Sequence, residues 1–272
     1  MITIKTLNQL KEQGDKICAL TSYDASFAAI AEESGVEVIL VGDSLGMVVQ
    51  GHGSTVPVTI DDLVYHTANV KRGAYNAFVV ADMPFMSDAS AEIALLNAGR
   101  LMQEGGAQMV KLEGGTNKLA IVKHLTSYGV PVCGHLGLLP QSIHQLGSYQ
   151  VQGKDPHQAE SILEDAVALE QAGAQLLVLE CVPSQLANEI SLQLSIPVIG
   201  IGAGVEVDGQ VLVVYDMLGL SDLNSPPRFV RNFLEGQDSI QSAIASYVNA
   251  VKSEQYPTEA DSYLFVLDYA GC

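Results

Sequence analysis

The chain has 272 residues, 48% of them hydrophobic, so it can bury a large core, and α/β barrels of about 250 residues are commonly single domains. Its 31 acidic and 13 basic residues give a formal net charge of −18 at pH 7, which disfavours binding to nucleic acid or to an anionic membrane. The first residues lack the apolar core of a signal peptide, and no stretch approaches the roughly 18 apolar residues of a membrane span. We therefore expect a cytoplasmic protein.

Short apolar runs rich in β-branched residues predict buried strands, and helical patterns lie between them. The predicted strands are 17–22, 37–42, 77–82, 108–113, 130–134, 175–180, 196–201 and 210–215. Strands separated by helices imply parallel pairing with right-handed crossovers. Eight such units predict a (β/α)₈ barrel, the TIM barrel, as a single domain over 1–272 with a C-terminal helical extension. An open doubly wound sheet is the alternative.

Helix signals are clearest in the first half of the chain. Asp24, Thr59 and Ser90 each precede an apolar-periodic segment in the position of an N-cap. Later, Pro183 suits the first turn of SQLANEISLQL. One further helix is predicted by an apolar stripe of Ala159, Ile162, Leu163, Ala166 and Leu169.

Two long loops are candidates for covering a ligand site. The segment 136–156 is, at about 20 residues, too long for an ordinary connection, and it is either a lid or a loop packed on a neighbouring subunit. Its His144, Gln150 and Lys154 are candidate ligand contacts. The second loop is GHGSTVPVT at 51–59.

The cysteines, Cys18, Cys133, Cys181 and Cys272, are scattered along the chain without a CxxC pair. This spacing indicates neither a disulfide framework nor a structural zinc site. We expect buried, reduced thiols.

Acidic residues recur at the ends of four predicted strands: Asp43, Asp82, Glu113 and Glu180. In α/β folds the carboxyl ends of strands are where ligands and catalytic groups gather. Because side chains alternate along a strand, Lys111 points to the same side as Glu113. The pattern therefore predicts an active site at one end of the barrel.

The residues alone leave alternatives open for each group. Asp43 and Asp82 suit a hard cation such as magnesium, but either could instead cap a helix. Lys111 is either a salt-bridge partner or an anchor for a substrate carboxylate. His135 is either a substrate contact or a core histidine. GIGAG at 200–204 is either a backbone anion site or a tight barrel turn.

Several longer motifs stand in one order between Ala19 and Tyr256: VGDSLGMVVQGHGSTVPVT, VVADMPFMS, VKLEGG, PVCGHLGLLPQSIHQLGSYQVQG, LLVLECVP, and PVIGIGAG with DGQVLV. Together they resemble the ketopantoate hydroxymethyltransferase (3-methyl-2-oxobutanoate hydroxymethyltransferase) family of pantothenate biosynthesis. The resemblance implies a (β/α)₈ barrel that binds Mg²⁺ and a 2-oxo acid together and assembles as a homodecamer. The chain departs from the family pattern in VEVDGQ, SDLNSPPRF and the tail VLDYAGC, which leaves its C-terminal packing and subunit contacts open.

The resemblance also implies roles for individual residues. Asp43 and Asp82 match the magnesium ligands, with Glu113 as a weaker or water-mediated third. The residues implied to bind the 2-oxo acid are Asp43, Ser44, Asp82, Lys111 and His135.

Glu180 matches the catalytic base of the family. It would remove the C3 proton of 3-methyl-2-oxobutanoate, giving an enolate that magnesium stabilises. The enolate would attack the methylene carbon of 5,10-methylenetetrahydrofolate, the co-substrate, to give 2-dehydropantoate (ketopantoate). The alternatives are a related Mg-dependent 2-oxo acid lyase or mutase of the same barrel superfamily, a phosphate-binding barrel enzyme using 200–204, and a non-catalytic binding barrel.

Overall fold

Parallel strands close into a barrel in the computed structural model of the chain, which describes residues 1–221 and 226–265. The strands are β1 (Ile17–Thr21), β2 (Val38–Val41), β3 (Phe78–Asp82), β4 (Met109–Glu113), β5 (Val132–Gly137), β6 (Leu176–Glu180), β7 (Val198–Ile201) and β8 (Gly209–Leu212). Each strand pairs in parallel with the next, and β8 pairs with β1. The predicted (β/α)₈ barrel is confirmed, and the doubly wound alternative is wrong because the sheet has no open edge.

Helices surround the barrel and fill most of the connections between strands. They are α1 (Ile4–Gln13), α2 (Ala25–Glu33), α3 (Leu45–Val48), α4 (Ile60–Gly73), α5 (Ala91–Gln103), α6 (Leu119–Ser127), α7 (Ile143–Leu146), α8 (Pro156–Gln171), α9 (Ser184–Gln193), α10 (Val214–Met217) and α11 (Ile240–Lys252). The side chains of Asp24, Thr59 and Ser90 cap α2, α4 and α5 as predicted. Pro183 directly precedes α9, and the predicted stripe lies on α8.

The sequence did not predict α1 and α6. Lys118, the residue before α6, makes no side-chain capping hydrogen bond, so the usual start signal is missing. The helix α1 precedes the first strand and lies outside the repeating βα pattern. Its Leu7 is buried against the interior of the barrel.

The ends of two strands differ from the prediction by three residues, whereas the other strand boundaries agree within two. Strand β5 continues through Gly134 to Gly137, so His135 lies within the strand rather than after it. A Cβ at Gly134 would crowd Leu169 and Leu177. Strand β8 ends at Leu212 rather than at residue 215. The chain turns into α10 there, and the Val214 N–H donates to Thr21 Oγ1 at 3.0 Å.

Apolar side chains fill the part of the barrel interior nearest the starts of the strands. They are Ile17, Ala19, Val38, Phe78, Val80, Met109, Cys133, Leu176, Val178, Ile199 and Val211. Because side chains alternate, the next inward positions along β3 to β6 lie nearer the C-terminal end. These positions carry polar residues: Asp82, Lys111, Glu113, His135 and Glu180.

Helix α11 packs against the barrel near β1, and whether it is a C-terminal extension of the domain stays a prediction. Its buried Tyr247 donates from the hydroxyl to the carbonyl oxygens of Ala19 (2.9 Å) and Gln210 (3.1 Å), which ties the helix to the seam between β1 and β8. The single-domain assignment over 1–272 stays a prediction. The tail VLDYAGC lies outside the described residues.

Cys18, Cys133 and Cys181 are buried and free, as predicted, and Cys272 lies outside the described residues. Burial raises the pKa of each of these three thiols, which keeps them protonated and weakly nucleophilic. No helix within 1–221 and 226–265 has both the length and the apolar character needed to span a membrane.

Candidate active site

A cavity of about 1070 Å³ opens where the strands of the barrel end. All seven residues that the sequence singled out for the site line it: Asp43, Ser44, Asp82, Lys111, Glu113, His135 and Glu180. Residues of both long loops complete the wall. Gly51, His52 and Thr55 come from 51–59, and Gln150 and Lys154 come from 136–156, whereas His144 does not line the cavity.

The side chain of Asp82 is hydrogen-bonded to the backbone of Asp43, which keeps the two residues close together. The Asp43 N–H donates to Asp82 Oδ2 at 2.9 Å. A Cβ atom at Gly42 would lie 2.7 Å from Ser44 Oγ and 3.5 Å from Asp82 Oδ2, so glycine permits this close approach. The side chain of Asp43 accepts from Gln141, and Ser44, not Asp43, is the residue before α3. The geometry therefore favours a paired acidic site over helix capping.

Lys111 is a salt-bridge partner of Asp82. Its Nζ lies 2.5 Å from Asp82 Oδ1, and the two side chains are only 5% and 3% exposed. Burial by itself would lower the pKa of Lys111, but Asp82, Glu113 and Asp43 outweigh burial and raise it. Lys111 is thus a fixed positive charge at the floor of the cavity.

His135 lies between two carboxylates. Its Nδ1 is 3.6 Å from Glu113 Oε1, and its Nε2 is 3.3 Å from Glu180 Oε2. Burial and Lys111 would lower the pKa of His135, but Glu113 and Glu180 raise it to about 9. A positively charged imidazole in this place attracts the Glu180 carboxylate, although neither ring nitrogen hydrogen-bonds a described residue.

Gln141 is a site residue that the sequence analysis missed. Its Nε2 donates to Asp43 Oδ2 at 2.8 Å and to the Met83 carbonyl at 2.9 Å, and its backbone N–H donates to Glu113 Oε2 at 3.1 Å. It lies in the loop 136–156 and therefore joins that loop to the acids. No sequence signal distinguishes this amide from its neighbours.

The acids carry more negative charge than their neighbours balance. Burial, followed by the charges of Asp82 and Glu113, raises the pKa of Asp43 well above its ordinary value. Burial would raise the pKa of Glu113 as well, but His135 and Lys111 outweigh it and lower that pKa. Glu113 Oε1 is buried and accepts no hydrogen bond from a described residue. These are the surroundings in which a bound cation lowers the electrostatic cost.

The donor set fits a magnesium ion held by few protein ligands. In the described residues no three His, Cys, Asp or Glu side chains form a ready-made metal group. Magnesium, however, is usually held by one or two carboxylates and takes its remaining oxygens from water and substrate. Asp43 and Asp82 meet that requirement, and Glu113 lies close enough to Asp43 to raise the pKa of that carboxyl.

The glycines of 200–204 have a packing role. Gly202 has a φ of 63°, and a Cβ there would lie 2.7 Å from Phe229 Cδ1. Gly204 has a φ of 84°, and a Cβ there would lie 2.4 Å from Ser184 Cβ. Both positions need glycine for backbone conformation and for space, which favours the tight-turn interpretation over an anion site.

Comparison with known proteins identifies the family. The sequence profile of ketopantoate hydroxymethyltransferase matches residues 1–259. A 3-methyl-2-oxobutanoate hydroxymethyltransferase of Nitrosococcus oceani is 58% identical over 262 residues, covering 96% of this chain and 99% of that protein. 3-Methyl-2-oxobutanoate hydroxymethyltransferase 2 of Hahella chejuensis is 55% identical, covering 96% of this chain and 98% of that protein.

Solved structures with low sequence identity share the barrel fold. Phosphoenolpyruvate phosphomutase from Streptomyces platensis subsp. rosaceus matches with a TM-score of 0.61 at 12% identity, covering 93% of this chain and 98% of that one. A phosphonopyruvate hydrolase in complex with oxalate and Mg²⁺ matches with a TM-score of 0.60 at 10% identity, covering 78% and 81%. These likenesses concern the fold, whereas the sequence profile and the close relatives identify the family. The chain belongs to the ketopantoate hydroxymethyltransferase family.

Proposed function

We propose that the chain transfers a hydroxymethyl group from 5,10-methylenetetrahydrofolate to 3-methyl-2-oxobutanoate, giving ketopantoate in pantothenate and coenzyme A biosynthesis. The observation that carries the chemistry is the arrangement of the cavity. A buried lysine and paired aspartates form one part of its floor, and Glu180, 3.3 Å from His135, also lines the cavity. The names of the close relatives support the same reaction.

Glu180 is proposed as the base that removes the C3 proton. Its side chain is 17% exposed, against 3% for His135, so it reaches the open cavity while one oxygen contacts the histidine. His135 offers positive charge beside the carboxylate as the proton leaves C3. This arrangement leaves Glu180 accessible from the cavity floor.

Lys111 is proposed to bind the carboxylate of the oxo acid, with Ser44 as a second donor. Lys111 is the buried lysine of the cavity, in a chain with a net charge of −18. The Ser44 hydroxyl lies 2.8 Å from the Tyr23 hydroxyl, which fixes its direction. A local cation and oriented hydroxyl would capture an anion that the protein as a whole repels.

Asp43 and Asp82 are proposed to hold Mg²⁺, with Glu113 close by. When bound, the ion supplies Lewis acidity that makes the C3 proton of a chelated 2-oxo acid easier to remove. Gln141 donates a hydrogen bond to Asp43, and Lys111 pairs with Asp82. The deprotonated substrate then faces the rest of the cavity, where the folate would present its methylene carbon at short range.

The test of the proposed function is formation of ketopantoate from 3-methyl-2-oxobutanoate, with and without methylenetetrahydrofolate and Mg²⁺. Product should form only when all three are present. A related 2-oxo acid lyase or mutase would act on its substrate without the folate, so folate-independent turnover would favour that alternative. Failure to catalyse even magnesium-dependent proton exchange would favour a non-catalytic barrel.

Lys111→Ala is expected to weaken binding of the oxo acid by about 1.5 to 3 kcal/mol, because a charge-assisted hydrogen bond is lost. The measurement is calorimetric binding of 3-methyl-2-oxobutanoate and of its amide to both proteins. The loss should be much larger for the acid, whose carboxylate needs the cation. Equal losses for acid and amide would mean that Lys111 acts only as the ion-pair partner of Asp82.

A homodecamer and a cytoplasmic location are also proposed, on the basis of the family resemblance. Light scattering on the purified protein would measure the number of chains per particle. A stable monomer or dimer would contradict the assembly.

A further inference from the structure

The cavity extends well beyond the acid cluster. Clefts of roughly 300–1,000 Å³ bury drug-sized ligands, and this cavity of about 1070 Å³ is larger than a five-carbon oxo acid requires. Its wall also includes Leu212, which ends β8, and Asp216, Leu220, Phe229 and Tyr263, which follow β7 and β8 in the chain; we call these five residues its second part. This part is available to the second, larger substrate of the proposed reaction.

Asp216, on α10, is the polar feature of that second part. Among the described residues that line the cavity, it is the one acid outside the group formed by Asp43, Asp82, Glu113 and Glu180. The Ser221 hydroxyl donates to its Oδ1, and within the described chain no other donor hydrogen-bonds the carboxylate. Burial raises the pKa of Asp216, and the hydrogen bond from Ser221 offsets only part of that rise. Oδ2 therefore has capacity for a ligand donor.

Apolar and aromatic side chains line the same cavity as this carboxylate. Phe229 is buried, and Tyr263 lies beside it over Gly202, where a Cβ would come within 2.7 Å of Phe229 and 3.2 Å of Tyr263. Leu212 and Leu220 complete the apolar surface. A flat, mostly apolar ligand with hydrogen-bond donors along one edge matches such a wall.

We propose that Asp216 binds the pterin ring of the reduced folate, accepting hydrogen bonds from its N3–H and its 2-amino group. These two donors are adjacent on the ring and are spaced for the two oxygens of one carboxylate. Ser221 acts as a positioning residue that fixes the carboxylate rotamer. The inference rests on the proposed function and extends it by naming how the folate is bound.

The test compares Asp216→Ala, Asp216→Asn and Ser221→Ala with wild type. For both Asp216 variants the KM for methylenetetrahydrofolate should rise by about 10- to 100-fold, because two charge-assisted hydrogen bonds are lost. Ser221→Ala should raise it less. Asp238→Ala, at an exposed position before α11, is the matched control and should leave that KM unchanged. Deuterium exchange at C3 of the oxo acid, which needs no folate, reports whether each variant is folded.

A folate analogue without the 2-amino group gives a second, independent measurement. Wild type should bind this analogue less tightly than the parent folate, and Asp216→Ala should show a much smaller difference between the two. An unchanged folate KM in Asp216→Ala, or an equal preference for the 2-amino group in both proteins, would overturn the inference. If the wild-type protein nevertheless forms ketopantoate, only the role of Asp216 is wrong and the proposed function stands. If wild type forms none, the proposed function fails, and this inference with it.

Discussion

Glu180→Gln should reduce deuterium incorporation at C3 of 3-methyl-2-oxobutanoate in heavy water by about 10²- to 10⁴-fold, the range typical of a lost general base. Glutamine preserves the shape of the side chain but cannot accept the proton. It can still contact His135, whose Nε2 lies 3.3 Å from the Glu180 carboxylate, so the neighbourhood should stay in place. Exchange can be followed by NMR without the folate, which separates proton removal from carbon–carbon bond formation.

Glu189→Gln is the matched control, because Glu189 is exposed on α9 and does not line the cavity. Its exchange rate should equal that of wild type. Binding of magnesium and of the oxo acid to Glu180→Gln should persist, which would show that the site is assembled. Exchange at the original rate in Glu180→Gln would assign the base to another group.

The sequence predicted the barrel and most of its site because period-two alternation is local. Once β4 and β6 are recognised as strands, Lys111, Glu113 and Glu180 must point to one interior. The number of strands followed from the apolar runs in the same way. This information is contained within five or six consecutive residues and needs no knowledge of tertiary contacts.

The contacts between those residues could not be predicted. The bridge from His135 to Glu180 depends on the register between β5 and β6, which no single segment encodes. Gln141 reaches Asp43 across 98 positions of sequence. Asp216 was missed because Val213, Val214 and Tyr215 have high strand propensity, whereas the chain turns into α10 at Val214. Tertiary contacts overrode the local preference at that point.

The double variant Asp43→Asn with Asp82→Asn should abolish magnesium-dependent uptake of 3-methyl-2-oxobutanoate in calorimetry. Asparagine keeps the size of each side chain and one oxygen, but removes the two negative charges proposed to hold the ion. Wild type should bind the oxo acid much more tightly with magnesium than without it. Asp61→Asn, at an exposed position on α4, is the control and should behave as wild type.

Circular dichroism and thermal unfolding show whether loss of binding reflects loss of fold. The single variant Asp43→Asn should unfold, in magnesium-free buffer, at a temperature no lower than wild type. Burial and the charges of Asp82 and Glu113 oppose ionisation of Asp43, so a neutral side chain relieves repulsion, and Gln141 can still donate to its oxygen. A folded double variant that retains magnesium-dependent uptake would place the metal on other ligands. Loss of uptake in a folded double variant would show that Asp43 and Asp82 are needed to bind magnesium and the oxo acid. Together with an unfolding temperature for Asp43→Asn that is no lower than wild type, it would mean that these acids serve binding and lower the stability of the metal-free protein.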